Sequence, residues 1–473
     1  MTPTGCFIDG KWRETLRRFP VTDPATGELL AEVADAGPGD GAVALDAAVA
    51  AQDAWAATPP KERAGVLRRA REELLSRGEE FALLITREMG KPLAESRAEV
   101  SYAADFLQWF AEEAVRVSGE YRMSPGGDFR VITTRQPVGP CLLISPWNFP
   151  LAMITRKIGP ALAAGCTALV KPAEDTPLSC LLLAQVLADV GLPPGVVNVL
   201  PTSRPAPLVE PLLADPRLRK LSFTGSTEVG RSLLAQASGN VLRTSMELGG
   251  NAPFLVFADA DLEAAVQGAM LAKLRNGGQS CVAANRFLVE EPVAEEFAAL
   301  LAERMSRVRL APGTDPASEL GPLINTVQRD RVAGLVDDAV SRGARALTGG
   351  AAHGAFFPAT VLADVPASAR VNQEEIFGPV APISTFSGEK TALAMANDTG
   401  SGLVAYLYTA SLDRAVRVAE RLETGMVGLN RGLVSNAAAP FGGIKQSGLG
   451  REGGFEGISE YLSTKYLALD TAP

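Results

Sequence analysis

The chain has 473 residues, 47% of them apolar and 21% charged, with a formal net charge of −9. The length suggests roughly three domains with a large core, and charge without a basic stripe or tail excludes an evident nucleic-acid surface. No window approaches the ~18 uninterrupted apolar residues of a membrane span, and the N-terminus has neither the basic start nor the apolar core of a secretory signal. Cys6, Cys141, Cys166, Cys180 and Cys281 are odd in number, widely spaced and free of any Cys-x-x-Cys pair. They form neither a disulfide framework nor a zinc site. A reduced, cytoplasmic protein with no metal and no membrane partner is the expectation.

Residues 40–115 read as helices, with Ala and Leu at helical spacing over 42–57 and 63–86 and a Pro59-Pro60 break between them. The β-branched, alternating Arg130-Val-Ile-Thr-Thr-Arg135 predicts an exposed-edge strand or hairpin. From Pro140 the pattern is regular. Strands are predicted at 141–144, 168–170, 196–200, 221–224 and 243–248, and helices at 153–164, 178–190 and 227–237. This alternation means βαβ units and a parallel sheet, whose ligands bind at the carboxyl ends of the strands. Pro146-Trp-Asn148, Lys171-Pro-Ala-Glu174, Gly225-Ser226 and Glu247-Leu-Gly-Gly250 all fall at such ends. A second α/β alternation runs from 252 to about 430, with a helix leading into Cys281. The tail at 461–469 reads as a strand in need of a sheet edge.

Two residues carry the chemistry. Cys281 follows Gly-Gly-Gln-Ser, a segment that bends freely and can turn the thiol towards a cleft. Glu247 ends a predicted strand beside two glycines. With His353 the sole histidine, in a Gly/Ala-rich loop, a Cys-His or Ser-His-Asp machine would have to be built on that single residue. A thiol and a carboxylate instead suggest covalent capture followed by activation of water. Such a nucleophile calls for a lowered thiol pKa.

Other residues admit plainer readings. Gly225-Ser-Thr-Glu-Val-Gly230 suits a phosphate at a helix start or an ordinary capping turn. Lys171 and Glu174 suit ribose recognition or a solvated pair at a strand end. Asn148 is a turn residue or an amide donor to an oxyanion. Arg156 and Arg275 are compatible with ordinary charges on helix surfaces.

Taken together, Pro146-Trp-Asn-Phe-Pro150, Lys171-Pro-Ala-Glu174, Phe223-Thr-Gly-Ser-Thr-Glu228, Glu247-Leu-Gly-Gly250, Gly278-Gln-Ser-Cys281, Glu374-Glu-Ile-Phe-Gly-Pro379 and Pro440-Phe-Gly-Gly443 resemble the NAD(P)-dependent aldehyde dehydrogenase superfamily over nearly the whole chain. The resemblance implies an α/β fold of three parts. These are a Rossmann-like parallel-sheet coenzyme domain over 1–115 and 138–248, an α/β catalytic domain over 249–440, and a small β oligomerisation arm over 116–137 and 452–473. It implies Cys281 as nucleophile, Glu247 as general base, and Asn148 with the Cys281 N–H as oxyanion hole. Lys171 and Glu174 would hold the adenosine ribose, Gly225 and Ser226 the pyrophosphate, and Glu375 the nicotinamide ribose. Trp147, Leu248 and Phe377 would complete the coenzyme site. The family's implied assembly is a homodimer or homotetramer.

Within the superfamily the chain most resembles the succinate-semialdehyde dehydrogenases, through Met153-Ile-Thr-Arg-Lys157, Lys273-Leu-Arg-Asn276, Gly432-Leu-Val-Ser435 and Gly443-Ile-Lys-Gln-Ser-Gly-Leu-Gly-Arg-Glu452. That likeness implies an aldehyde with a distal carboxylate, held by Arg156, Arg275 and Ser435. Glutarate semialdehyde, broad-range aldehydes and a non-catalytic binding protein are the competing readings. A carboxylate at Glu174 would repel the 2′-phosphate of NADP, so NAD is expected to be preferred and NADP possible. Some relatives carry a redox-active cysteine two residues after the nucleophile. Here that position is Ala283, and no such regulation is implied.

Overall fold

The computed structural model describes residues 2–470, so the ends of the expected first and last segments, at 1 and 471–473, lie outside the described residues. Two large sheets organise the chain. The first orders its strands Lys11–Arg13, Cys6–Ile8, Val197–Val199, Ala168–Lys171, Cys141–Ile144, Lys220–Thr224, Arg243–Glu247 and Gly448–Leu449. Its five inner strands are parallel, and Cys141–Ile144 and Ala168–Lys171 at its centre are buried throughout and largely apolar because helices cover both faces. Both ends of the sheet are antiparallel additions. The N-terminal pair was not anticipated from the sequence, since three-residue strands carry almost no periodic signal.

The chain order reverses between Cys141–Ile144 and Lys220–Thr224, neighbours separated by two intervening strands in sequence. A reversal of this kind opens a crevice at the carboxyl ends of the two strands. Pro146-Trp-Asn148 follows one of them and Gly225-Ser226 the other.

The second sheet runs Arg345–Thr348, Thr360–Ala363, Val380–Phe386, Ala284–Glu290, Ala252–Val256, Val404–Tyr408 and Met426–Leu429. It is parallel except at its first pair. Residues 248–251 link the sheets, so Glu247 closes the last parallel strand of the first sheet just before the second begins.

A third sheet stands apart, with Leu462–Asp470 and Glu120–Met123 on either side of Phe129–Pro137. Of the two readings for 130–135 this bears out the hairpin, formed with Glu120–Met123, and corrects the exposed edge. That segment is the central strand, because the C-terminal strand supplies the partner both segments lacked. The single helix expected over 63–86 is also two, Pro60–Ser76 and Gly78–Met89, broken at Arg77. Glycine directly after it lowers helix propensity there.

Candidate active site

The crevice holds a cavity of about 190 Å³. Four segments wall it: the Pro146–Phe149 loop, the Thr224–Ser226 turn, the 247–249 linker and the 280–282 segment. Glu375 and Phe377 close it from the second sheet, and Arg156, Arg275 and Ser435 stand around its inner part. The fold thus gathers all the residues marked from the sequence except Lys171 and Glu174. Those two sit one strand away and pair with each other at 2.9 Å, Lys171 buried and Glu174 exposed.

The Cys281 segment is shaped by a sharp stop. Helix Leu262–Leu274 ends seven residues before the cysteine, earlier than expected, and Arg275 lies just past it. Asn276 and Gly277 adopt left-handed φ of 59° and 65°, and Gly278 follows at 72°. A Cβ on Gly278 would meet the Gly378 carbonyl oxygen at 2.2 Å, so only glycine passes here. The linker also approaches closely: a Cβ on Gly250 would lie 2.4 Å from the Cys281 carbonyl oxygen.

Asn148 is buried, and its Nδ2 donates to the Gln279 carbonyl at 2.9 Å. One amide hydrogen remains for a ligand in the cavity that Asn148 lines. Glu247 is buried and neither carboxylate oxygen has a protein partner. Burial pushes its pKa well above the carboxylate range. The Glu452 charge adds to this, and Arg156, Lys157 and Arg451 oppose it. The lowered thiol pKa expected for Cys281 is not supplied by this chain alone. Burial pushes the thiol up to about 12, with Arg156 the main group opposing the rise. In the free chain burial thus disfavours the ionised form of both groups.

The coenzyme-facing wall combines two readings of one turn. Ser226 caps helix Thr227–Ala237 by accepting from Val229 N, while Gly225 and Ser226 face the cavity at that helix start. Thr224 Oγ1 nearby is buried without a partner. Across the cavity, Glu375 Oε1 accepts from Gly250 N at 3.1 Å, and burial pushes its pKa to about 7. The Trp147 and Phe377 rings meet edge to face at 5.4 Å. Orphaned polar atoms, a helix N-terminus and two aromatic walls fit a dinucleotide.

The inner wall is cationic. Helix Ala152–Ala164 is buried along its whole length, so Arg156 is no surface charge. Its guanidinium carbon lies 3.6 Å over the Phe441 ring, and Nη2 is buried without a partner. Arg275 packs over Phe149 at 4.9 Å and has no ion-pair partner among the described residues. Tyr102, which sequence reasoning missed, lines the same wall with a buried, unpartnered hydroxyl. Its signal was legible: Glu95, Glu99, Tyr102 and Phe106 recur at helical spacing on Leu93–Glu113 and share a face. Gln328 and Arg331 were also missed. They reach from helix Thr326–Ser341 to the carbonyls of Phe377 and Glu375, at 2.9 and 3.1 Å.

A cleft between two α/β sheets that brings a thiol, a carboxylate and a helix N-terminus suited to a dinucleotide phosphate together fits a nicotinamide-dependent oxidoreductase with a covalent step. The aldehyde dehydrogenase family model matches residues 12–467. A succinate-semialdehyde dehydrogenase of Paenarthrobacter nicotinovorans is 57% identical over 93% of this chain and 99% of its own. A glutarate-semialdehyde dehydrogenase of Pseudomonas aeruginosa is 47% identical over 98% and 97%. The crystal structure of an NADP-dependent enzyme of E. coli superposes with a TM-score of 0.98 at 47% identity, covering 99% of this chain and 98% of that one. The chain belongs to the aldehyde dehydrogenase family, and it is an oxidoreductase that acts on an aldehyde with a nicotinamide coenzyme. Among the described residues no helix is long and apolar enough to cross a membrane, and no three His, Cys, Asp or Glu side chains are grouped to hold a metal.

Proposed function

We propose that the protein oxidises succinate semialdehyde to succinate, with NAD preferred over NADP. The observation that carries this reading is the pair of guanidinium groups, Arg156 and Arg275, in the wall of the cavity that Cys281 lines. Neither is fully paired, and the Tyr102 hydroxyl beside them is free. A carboxylate at the far end of a short aldehyde would satisfy all three, with Ser435 as a further donor.

Cys281, attacking as the thiolate after its proton is lost to solvent water, adds to the aldehyde carbon and forms a thiohemiacetal. Asn148 Nδ2 and the Cys281 N–H hold the oxyanion. Trp147, Lys171, Glu174, Gly225, Ser226, Leu248, Glu375 and Phe377 would hold the nicotinamide coenzyme, which when bound would supply the hydride acceptor for that carbon. Glu247 then takes a proton from the water that attacks the resulting thioester, and the acid leaves as Cys281 is regenerated. The first sheet serves the coenzyme, the second carries the nucleophile, and the third sheet is an arm for a homodimer or homotetramer.

The relative from Pseudomonas aeruginosa favours glutarate semialdehyde as a second substrate. One methylene discriminates by only about 1–3 kcal/mol, so turnover of both is expected. The test is coenzyme reduction with succinate semialdehyde, glutarate semialdehyde and butanal, each with NAD and NADP. Preference for the two semialdehydes over butanal supports the reading. Equal use of butanal, or no turnover with any pair, overturns it.

A further inference from the structure

Lys91 and Glu99 form an ion pair at 2.6 Å with side chains 1% and 0% exposed. A sealed ion pair is a costly way to gain stability, since desolvation offsets the attraction. This one spends its remaining hydrogen-bonding capacity on a single loop. Lys91 Nζ donates to the Asn148 carbonyl at 2.8 Å. Glu99 Oε1 accepts from the N–H groups of Leu151 and Ala152 at 3.0 and 3.2 Å. The pair therefore grips both ends of the Asn148–Ala152 segment. The Lys91 ammonium also lies 4.1 Å over the Phe149 ring between them.

The grip extends to the nucleophile's side of the cavity. The Asn148 carbonyl also accepts from Asn276 Nδ2 at 3.0 Å, and Asn276 Nδ2 donates to the Gln279 carbonyl at 2.9 Å. That same carbonyl takes the Asn148 side-chain amide at 2.9 Å. Glu95, one helical turn before Glu99, accepts from Asn276 N at 2.8 Å. Asn148 is thus fixed at its carbonyl by Lys91 and at its amide by the turn that leads to Cys281.

We propose that Lys91 and Glu99 are a positioning pair for the reaction, setting the place of the Asn148 amide relative to Cys281. The inference rests on the role of Asn148 in the proposed function. An oxyanion donor works only if it is held before the charge develops, and displacement of a reacting geometry by about 1 Å costs on the order of 100-fold in rate. Neither residue lines the cavity, so the effect passes through Asn148.

The test uses Lys91→Met and Glu99→Gln in the full chain. The readouts are the pre-steady-state rate of coenzyme reduction, coenzyme binding by fluorescence and thermal stability. Each substitution should lower the first rate by about 10- to 100-fold, with coenzyme affinity unchanged. In an Asn148→Ala background, the same substitutions should lower that rate less than about 3-fold further, because the amide they position is gone. A folded variant of either kind with an unchanged rate overturns the proposal. So does an equal fold-loss in the Asn148→Ala background, which would mark a general structural effect. Glu99→Gln keeps the acceptor for Leu151 and Ala152, so it carries the test if Lys91→Met does not fold. If Asn148→Ala itself leaves the rate unchanged, the assignment of Asn148 fails instead, which separates the two outcomes.

Discussion

Arg156 Nε stands 3.1 Å from the Glu452 carboxylate, and both side chains are almost sealed from solvent. Glu452 also pairs with Lys157 at 2.7 Å. One buried carboxylate thus neutralises two adjacent cations on the helix behind the site. Its negative charge also adds to burial in raising the Glu247 pKa.

A pH dependence follows from that arrangement. Cys281 and Glu247 must both lose a proton to act, and both are raised in the free chain. Activity is therefore expected to rise with pH from neutral into the alkaline range. Glu452→Gln removes a like charge from beside Glu247, lowers its pKa and should move the rise in turnover to lower pH. Profiles of kcat against pH for the two proteins check this. A flat profile, or a shift to higher pH in the variant, would contradict it.

The two catalytic groups separate by step. Cys281→Ala should abolish oxidation, since no thiohemiacetal can form. Glu247→Gln should leave the first reduction of coenzyme partly intact and stall the thioester, giving a burst followed by slow turnover. Rapid mixing and intact-protein mass spectrometry read this directly. Absence of both burst and acyl-enzyme would remove Glu247 from the water-activating role.

Coenzyme choice is expected to turn on Glu174. Its carboxylate is exposed and held by Lys171 at 2.9 Å, where it would oppose a 2′-phosphate. Glu174→Ser should raise the ratio of kcat/KM for NADP over NAD by roughly 10-fold, about 1.4 kcal/mol. A parent protein that already favours NADP would show that Glu174 does not set the choice.

Much of this site was legible because its residues lie at ends of strongly periodic strands. Alternation of apolar runs with helical stretches located Asn148, Gly225 and Glu247 before any contact was known. The sequence was least informative where long-range partners decide. The 130–135 strand could be read as an edge or a hairpin but not as a central strand, because its second partner lies more than 300 residues away at Leu462–Asp470. The rise of the Cys281 pKa came from burial, which a Gly-rich polar segment does not reveal. Burial of Lys273, whose Nζ is unpartnered and whose pKa that burial pushes down to about 7, is likewise not marked by its local sequence.

The arm predicts association. In the Leu462–Asp470 strand every residue after the first is exposed, including Tyr466, Leu467 and Leu469. A long apolar edge of this kind normally pairs or is covered. Light scattering should report a dimer or a tetramer, and Leu467→Asp with Leu469→Asp should shift it towards smaller species. A stable monomer of the parent chain at micromolar concentration would contradict the prediction.

The substrate assignment meets its most direct test at Arg275, which is partly exposed and has no ion-pair partner among the described residues. A charge-assisted contact contributes roughly 1.5–3 kcal/mol. Arg275→Ala should therefore lower kcat/KM for succinate semialdehyde by roughly 10- to 150-fold and leave butanal nearly unchanged. Arg156→Ala should lower both, because Glu452 also loses a partner, but succinate semialdehyde by the larger factor. The decisive measurement is kcat/KM for Arg275→Ala on the two aldehydes. A selective fall for succinate semialdehyde is the expected result. An equal fall for both would make Arg275 structural and contradict the carboxylate site.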